Sequence, residues 1–314
     1  VVLDALHDLS PGSEKRAADL AASWFKSATS DIDRGEAVAL LAVALVLDPT
    51  IEGYKDRLID ATGLSQYAGQ IDASSSLNQA ARVVVWALAG QVDQAKRLLE
   101  VVETTPTVVP EARFFMALGQ KLTAGKLDAA LDDLDKALAE RPSSLRAKSL
   151  LAEIELEIGL YPEAEKTASV DDRGPTTTST THPWLDALKG RALVLDGKVD
   201  EGIKLLKACE GKLDEGRRGD ALYWLGRSLT QKGDDAEVDT IIASLSSRPG
   251  YAKEAGVLEG LKLVKAGDYA KARDQLDALV KRGPMALPVD VDAAWLLVDA
   301  CAGAGDADCV ARAG

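Results

Sequence analysis

The sequence is short of the residues that most site chemistry needs. It has 2 histidines, 3 cysteines and 4% aromatic residues in 314 positions. His7 lies among Leu3, Leu6 and Leu9, and His182 precedes Pro183 in a threonine-rich stretch. Neither has a partner at metal-ligand spacing, so both read as structural or solvated. An odd number of cysteines supplies no complete disulfide framework. Basic residues are outnumbered 37 to 50, which leaves a net charge of −13. Such a surface repels a phosphate backbone, and no nucleic-acid partner is expected. The longest apolar run, residues 37–47, is too short for a bilayer, which needs about 20 residues. Asp33, Glu36 and Asp48 flank it, the wrong charge for a signal peptide. Runs of β-branched residues are scarce, which argues against a sheet. The glycines are too widely spaced for a phosphate-binding loop, and no Gly-x-Ser-x-Gly nucleophile motif occurs. Carboxylates such as Asp132, Asp133, Asp135 and Glu140 alternate with apolar helix positions and read as a solvated outer face. No catalytic residue, metal or cofactor is assigned.

What remains is alanine and helical period. Tyr269, Ala272, Leu276 and Leu279 recur at three- and four-residue spacing, one face of a helix. Gly267 before them suits a helix-ending turn, Asp268 an N-cap, and Pro284 a stop. Upstream, residues 255–264 predict a second helix that folds back through Gly267. Ala37, Leu41, Ala44 and Pro49 reproduce the same spacing near the start of the chain. There Ser13 is the expected cap of a first helix, and residues 51–61 predict a further helix ending at Thr62-Gly63.

This hairpin is one copy of many. Glycines expected at turns fall at positions 90, 125, 159, 197, 233, 267 and 305, with separations of 35, 34, 38, 36, 34 and 38 residues. Small or apolar residues stand twelve apart across each turn, as at Gly190 and Gly202 or Gly260 and Ala272, where paired helices are expected to touch. A glycine within a helix costs roughly 1 kcal/mol against alanine, so close packing is the expected compensation.

The pattern resembles the tetratricopeptide repeat family. The best copy is Leu258, Gly260, Leu263, Gly267, Tyr269, Ala272, Leu276, Leu279 and Pro284; Leu151, Ala152, Gly159, Tyr161 and Ala164 repeat it, as do Leu225, Gly226, Leu229 and Gly233. The resemblance covers about residues 77–314 and implies an all-α, right-handed superhelical solenoid of antiparallel helix pairs. The large aromatics of the family are often Leu or Val here. Residues 1–64 read as an N-terminal helical segment with degenerate repeats, 65–168 as a first block and 184–314 as a second with its last repeat truncated. Between the blocks, residues 169–183 read as a threonine-rich loop. That loop is a solvent-exposed insertion, a binding loop or a modified threonine cluster. The absence of a starting Met and the helix just begun at Gly314 read as a fragment or processed form, which leaves room for a signal or anchor upstream.

In the family the first helix of each pair lines the concave groove. By resemblance, groove positions fall thirteen, ten, six, three and two residues before each turn glycine. These include Val84 and Phe115 in the first block, with Arg146 and Glu153 after them, and Trp184, Arg191, Tyr223, Arg227 and Trp295 in the second. Arg191 and Arg227 would face one way on successive repeats and hold an acidic or aromatic partner segment. Alternatively, the aromatics bury against the next helix pair and the arginines snorkel. The family's carboxylate clamp needs Lys and Asn where Ala80 and Val84 stand, so no chaperone-type C-terminal peptide is assigned.

Cys301 and Cys309 lie equidistant from Gly305, so their sulfurs could meet across the turn as a disulfide or remain two buried thiols. A disulfide would place the chain outside the cytosol; otherwise a cytoplasmic location stands equally open. Cys209 reads as a packed small hydrophobe. The expected function is a non-catalytic scaffold that binds a protein or peptide in the groove. The alternatives are a structural subunit using its convex face or edges, and the repeat part of a larger enzyme or regulator.

Overall fold

The computed structural model describes residues 1–10, 12–48, 51, 57–169, 182–280 and 288–313. Among these there are eighteen α-helices, one short 3-10 turn and no strand. The chain has an all-α repeat fold. It divides into two compact units, residues 1–154 with 170–182, and residues 155–169 with 183–314. The division falls inside a helix. The threonine-rich stretch, and with it any binding or modification of its threonines, lies outside the described residues at 170–181, as do Pro49 and Pro284.

Unit 1 holds α1 (Val2–His7), α2 (Ser13–Ser27), α3 (Asp31–Leu47), α4 (Arg57–Ile71), α5 (Ser76–Leu88), α6 (Val92–Glu103), α7 (Pro110–Ala124), α8 (Leu127–Glu140) and most of α9 (Leu145–Glu157). α3 is apolar nearly all round and accordingly central to the core. Ser30 caps it, accepting the Asp33 N–H at 3.1 Å. α2 begins differently from expectation. Gly12, not Ser13, occupies the cap, and the Ser13 hydroxyl donates to the Asp8 carbonyl. α4 also differs, since it runs through Thr62-Gly63 to Ile71. Buried Ser65 and Ala68 beyond the expected end give the helix packing that offsets an internal glycine.

Unit 2 holds the end of α9, then α10 (Tyr161–Ser169), α11 (Pro183–Leu195), α12 (Val199–Cys209), a 3-10 turn at Glu210–Lys212, α13 (Glu215–Lys232), α14 (Asp235–Ser246), α15 (Ala252–Lys265), α16 (Tyr269–Leu279), α17 (Pro288–Gly303) and α18 (Ala307–Ala313). Its core gathers Val194, Leu206, Leu225, Leu229, Val238, Leu245 and Leu258 from successive hairpins. Cys209 belongs to this core, and burial pushes its thiol up to about 12.

The seven expected turn glycines all have φ between 59° and 87°, the left-handed region closed to most side chains. At Gly267 the N–H reaches the Val264 carbonyl at 3.0 Å, and the Asp268 N–H reaches Leu263 at 2.9 Å. This double bond pattern satisfies carbonyls that the helix end would otherwise leave open. Asp268 stands at the next helix's cap position but makes no capping bond; its carboxylate turns to Lys271 instead.

The small-residue contacts are partly as expected. A Cβ on Gly202 would lie 2.6 Å from the Gly190 carbonyl oxygen, so α11 and α12 meet there backbone to backbone. At both hairpins a leucine also covers the glycine: Leu276 Cδ2 would lie 2.6 Å from a Cβ added at Gly260, as Leu206 Cγ would lie 2.9 Å from one at Gly190. A helical side chain leans toward its own N-terminus, so Leu276 covers the spot one turn earlier.

Candidate functional site

Three alternate helices of unit 2 each bring forward the positions counted back from a turn glycine. α13 is capped by Asp214, which accepts the Arg217 N–H at 2.9 Å, and it ends at Gly233. It supplies Tyr223, Arg227 and Gln231. α15 supplies Val257, Leu258 and Leu261, and α17 supplies Asp292, Trp295, Leu296 and Asp299. Together they line one cavity of about 170 Å³. Apart from Leu258 and Leu296, every lining residue stands thirteen, ten, six or two places before Gly233, Gly267 or Gly305.

Asp292 organises the cavity. Its Oδ2 accepts hydrogen bonds from the Tyr223 hydroxyl and from Arg227 Nη1, the latter at 2.6 Å. Burial raises the Tyr223 pKa, and the adjacent Asp292 charge raises it further, so the phenol stays a proton donor. Arg227 and Arg191 also share the face of Trp224, at 5.0 and 4.3 Å from its ring centroid. Trp224 in turn meets Tyr223 edge-on at 5.8 Å. Arg227 is thus committed to Asp292 and Trp224, and its charge is already compensated. Tyr223 is only 4% exposed, and its hydroxyl is taken by Asp292. Both residues shape the wall. Trp184 is half-buried with Arg217 at 5.8 Å from its ring centroid.

Trp295 is different. It is 68% exposed, although indole is among the largest apolar surfaces a side chain offers. Asp299, one helical turn on, is exposed and makes no ion pair among the described residues. Sequence reasoning named Trp295 and missed Asp292. The signal was there, since Asp292 stands thirteen places before Gly305, as Trp184 does before Gly197.

In unit 1 the equivalent positions are covered. Phe115 and Val84, both expected to face the groove, are fully buried within the chain. Val84 lies in the same core as Leu40, Val43 and Ala44 of α3, a helix that packs against α5. Phe115 stacks edge-on with Phe114 at 5.2 Å, and His7 of α1 lies 6.5 Å away. Arg146 donates to the carbonyls of Leu6 and Asp8 and pairs with Glu14. His7 completes the seal. Ser144 Oγ accepts the Ala147 N–H at 3.1 Å and is hydrogen-bonded to His7 Nδ1 at 2.6 Å. Burial above all, with help from the charges of Arg141 and Arg146, pushes His7 down to about 3, which keeps the ring neutral. The N-terminal helices therefore pack over these positions of α5, α7 and α9.

At the far end of unit 2, Cys301 and Cys309 are joined across the Gly305 turn with Cα atoms 5.6 Å apart, tying α17 to α18. Cys209 remains a free thiol.

Two family models match the sequence, both described as tetratricopeptide repeat, at residues 121–170 and 257–308. Comparison with curated proteins gave no match. Among solved structures the chain is similar to a tetratricopeptide repeat protein from Parabacteroides merdae, with 15% identity, a TM-score of 0.56, and coverage of 84% of this chain and 98% of that one. It is also similar to human IFIT1, solved as a dimer with m7Gppp-AAAA, with 13% identity, a TM-score of 0.48, and coverage of 98% and 72%.

Proposed function

This chain is a tetratricopeptide-repeat protein, and from that premise we propose that it is a non-catalytic scaffold whose protein partner binds the unit 2 groove at Trp295. The observation that carries the proposal is the contrast between equivalent positions. Ten places before the turn glycine, Phe115 in unit 1 and Ala187, Tyr223 and Val257 in unit 2 are buried, whereas Trp295 in the last hairpin is 68% exposed beside a cavity. An exposed aromatic in a concave, partly apolar site is the kind of anchor that dominates binding energy at protein interfaces. Tyr223, Arg227 and Asp292 serve as a preformed wall: their mutual hydrogen bonds fix the rotamers before a partner arrives, which lowers the ordering cost of binding.

A photo-crosslinking amino acid placed at Trp295, and separately at Arg273 on α16, tests this in the native setting. A partner crosslinked from position 295 and not from 273 supports the groove. The same partner crosslinked only from 273 overturns it and favours a structural subunit that packs by its outer face.

A further inference from the structure

We infer that the unit 2 groove selects a partner segment carrying a Lys or Arg side chain, received between the Trp295 ring and the Asp299 carboxylate. This rests on the groove reading above and specifies its chemistry. The cavity wall carries two carboxylates, Asp292 and Asp299, and one guanidinium, Arg227. Arg227 is neutralised by Asp292 at 2.6 Å, so among the charged side chains of the lining Asp299 is the one left without an ion pair. That carboxylate has no ion-pair partner among the described residues, and the chain as a whole has a net charge of −13. A second feature points the same way. Trp295 and Asp299 are four residues apart on α17 and so share one helical face. An exposed indole beside a carboxylate offers a cation two attractions at once, the ring's negative face and an opposite charge. Leu261 and Leu296 line the same cavity and give the methylene stem of a long basic side chain apolar surface to lie on. An acidic segment, the occupant that Arg191 and Arg227 first suggested, would meet the Asp299 carboxylate and find Arg227 already paired; Lys265, at the Gln231 edge of the cavity, donates to the Thr230 and Gln231 carbonyls.

The experiment is a selection from a phage-displayed random-peptide library on the intact chain, with Trp295→Ala as counter-selection. Synthetic copies of the selected peptides are then titrated against wild type, Trp295→Ala and Asp299→Asn. Both residues are exposed, so neither change should disturb folding, which circular dichroism checks. The expected result is enrichment of Lys or Arg at one position. Binding should weaken about tenfold in Trp295→Ala and about threefold to fivefold in Asp299→Asn. Replacing the selected basic residue with Ala should remove the sensitivity to Asp299→Asn. Selected peptides that depend on Trp295 but carry Asp, Glu or only apolar residues there overturn the cationic specificity and leave the groove standing. Peptides indifferent to Trp295→Ala, or no enrichment over the counter-selection, overturn the groove itself.

Discussion

Protonating His7 should loosen unit 1 and leave unit 2 unaffected. The ring is buried, shares a hydrogen bond with the Ser144 hydroxyl at 2.6 Å, and is held neutral by that burial, which pushes its pKa down to about 3. In the unfolded chain it returns to the ordinary value of about 6.5. Its folded value is depressed, so the unfolded state binds the proton first as pH falls. The stability contribution is therefore full above about pH 6.5 and is lost progressively between there and about pH 3. From about pH 7 to about pH 5 the loss attributable to this group is about 2 kcal/mol. Amide exchange, corrected for intrinsic rates, reads this as lowered protection in α1, α7 and the first turn of α9, with unit 2 peptides as internal control. Carboxylates titrate in the same window, so the comparison that isolates His7 is the variant His7→Gln. It should lack about 2 kcal/mol of the acid-induced drop that the natural chain shows. An equal drop in both proteins would refute the neutral His7–Ser144 lock.

Three further outcomes follow from the packing and the cysteines. Phe115→Ala should destabilise unit 1 by about 3 to 5 kcal/mol, as for any fully buried aromatic, and a cost below about 1 kcal/mol in thermal or urea unfolding would return Phe115 to the surface. Gly202→Ala places a Cβ 2.6 Å from the Gly190 carbonyl oxygen and should cost unit 2 about 1 to 3 kcal/mol, whereas an unchanged melting temperature would show that α11 and α12 do not meet there. Thiol titration in denaturant should find one reactive cysteine, Cys209, before reduction and all three afterwards. Three thiols before reduction would remove the Cys301–Cys309 bridge.

The turns, and which residues line the unit 2 cavity, were legible because each depends on residues near in sequence. A left-handed turn needs glycine, and the glycine then fixes which face the preceding helix shows. Trp295 and Tyr223 follow directly from that count, and so does Asp292, although a lone carboxylate drew no attention until its two donors were visible. Counting treats side chains as points, so it did not show that Leu276 reaches back along its helix to cover Gly260. The closure of unit 1 was not legible. His7 and Ser144 are 137 residues apart, and a repeat pattern relates each hairpin only to its neighbours. Nothing in the spacing of Phe115 or Arg146 signals that α1 will lie against them. The same limit applied to Arg227: its position predicted a groove residue, but its charge was spent on an aspartate 65 positions away.

The central claim is that the groove of unit 2 is open while the corresponding face of unit 1 is filled by the chain's own N-terminal helices. Amide-exchange mass spectrometry of the intact chain, with and without a peptide selected on it, tests that claim most directly. New protection should appear in residues 223–231, 257–261 and 292–299, with α1, α7 and the start of α9 unchanged. Protection confined to α7 and α9, accompanied by opening of α1, would place the ligand in unit 1 and contradict the claim.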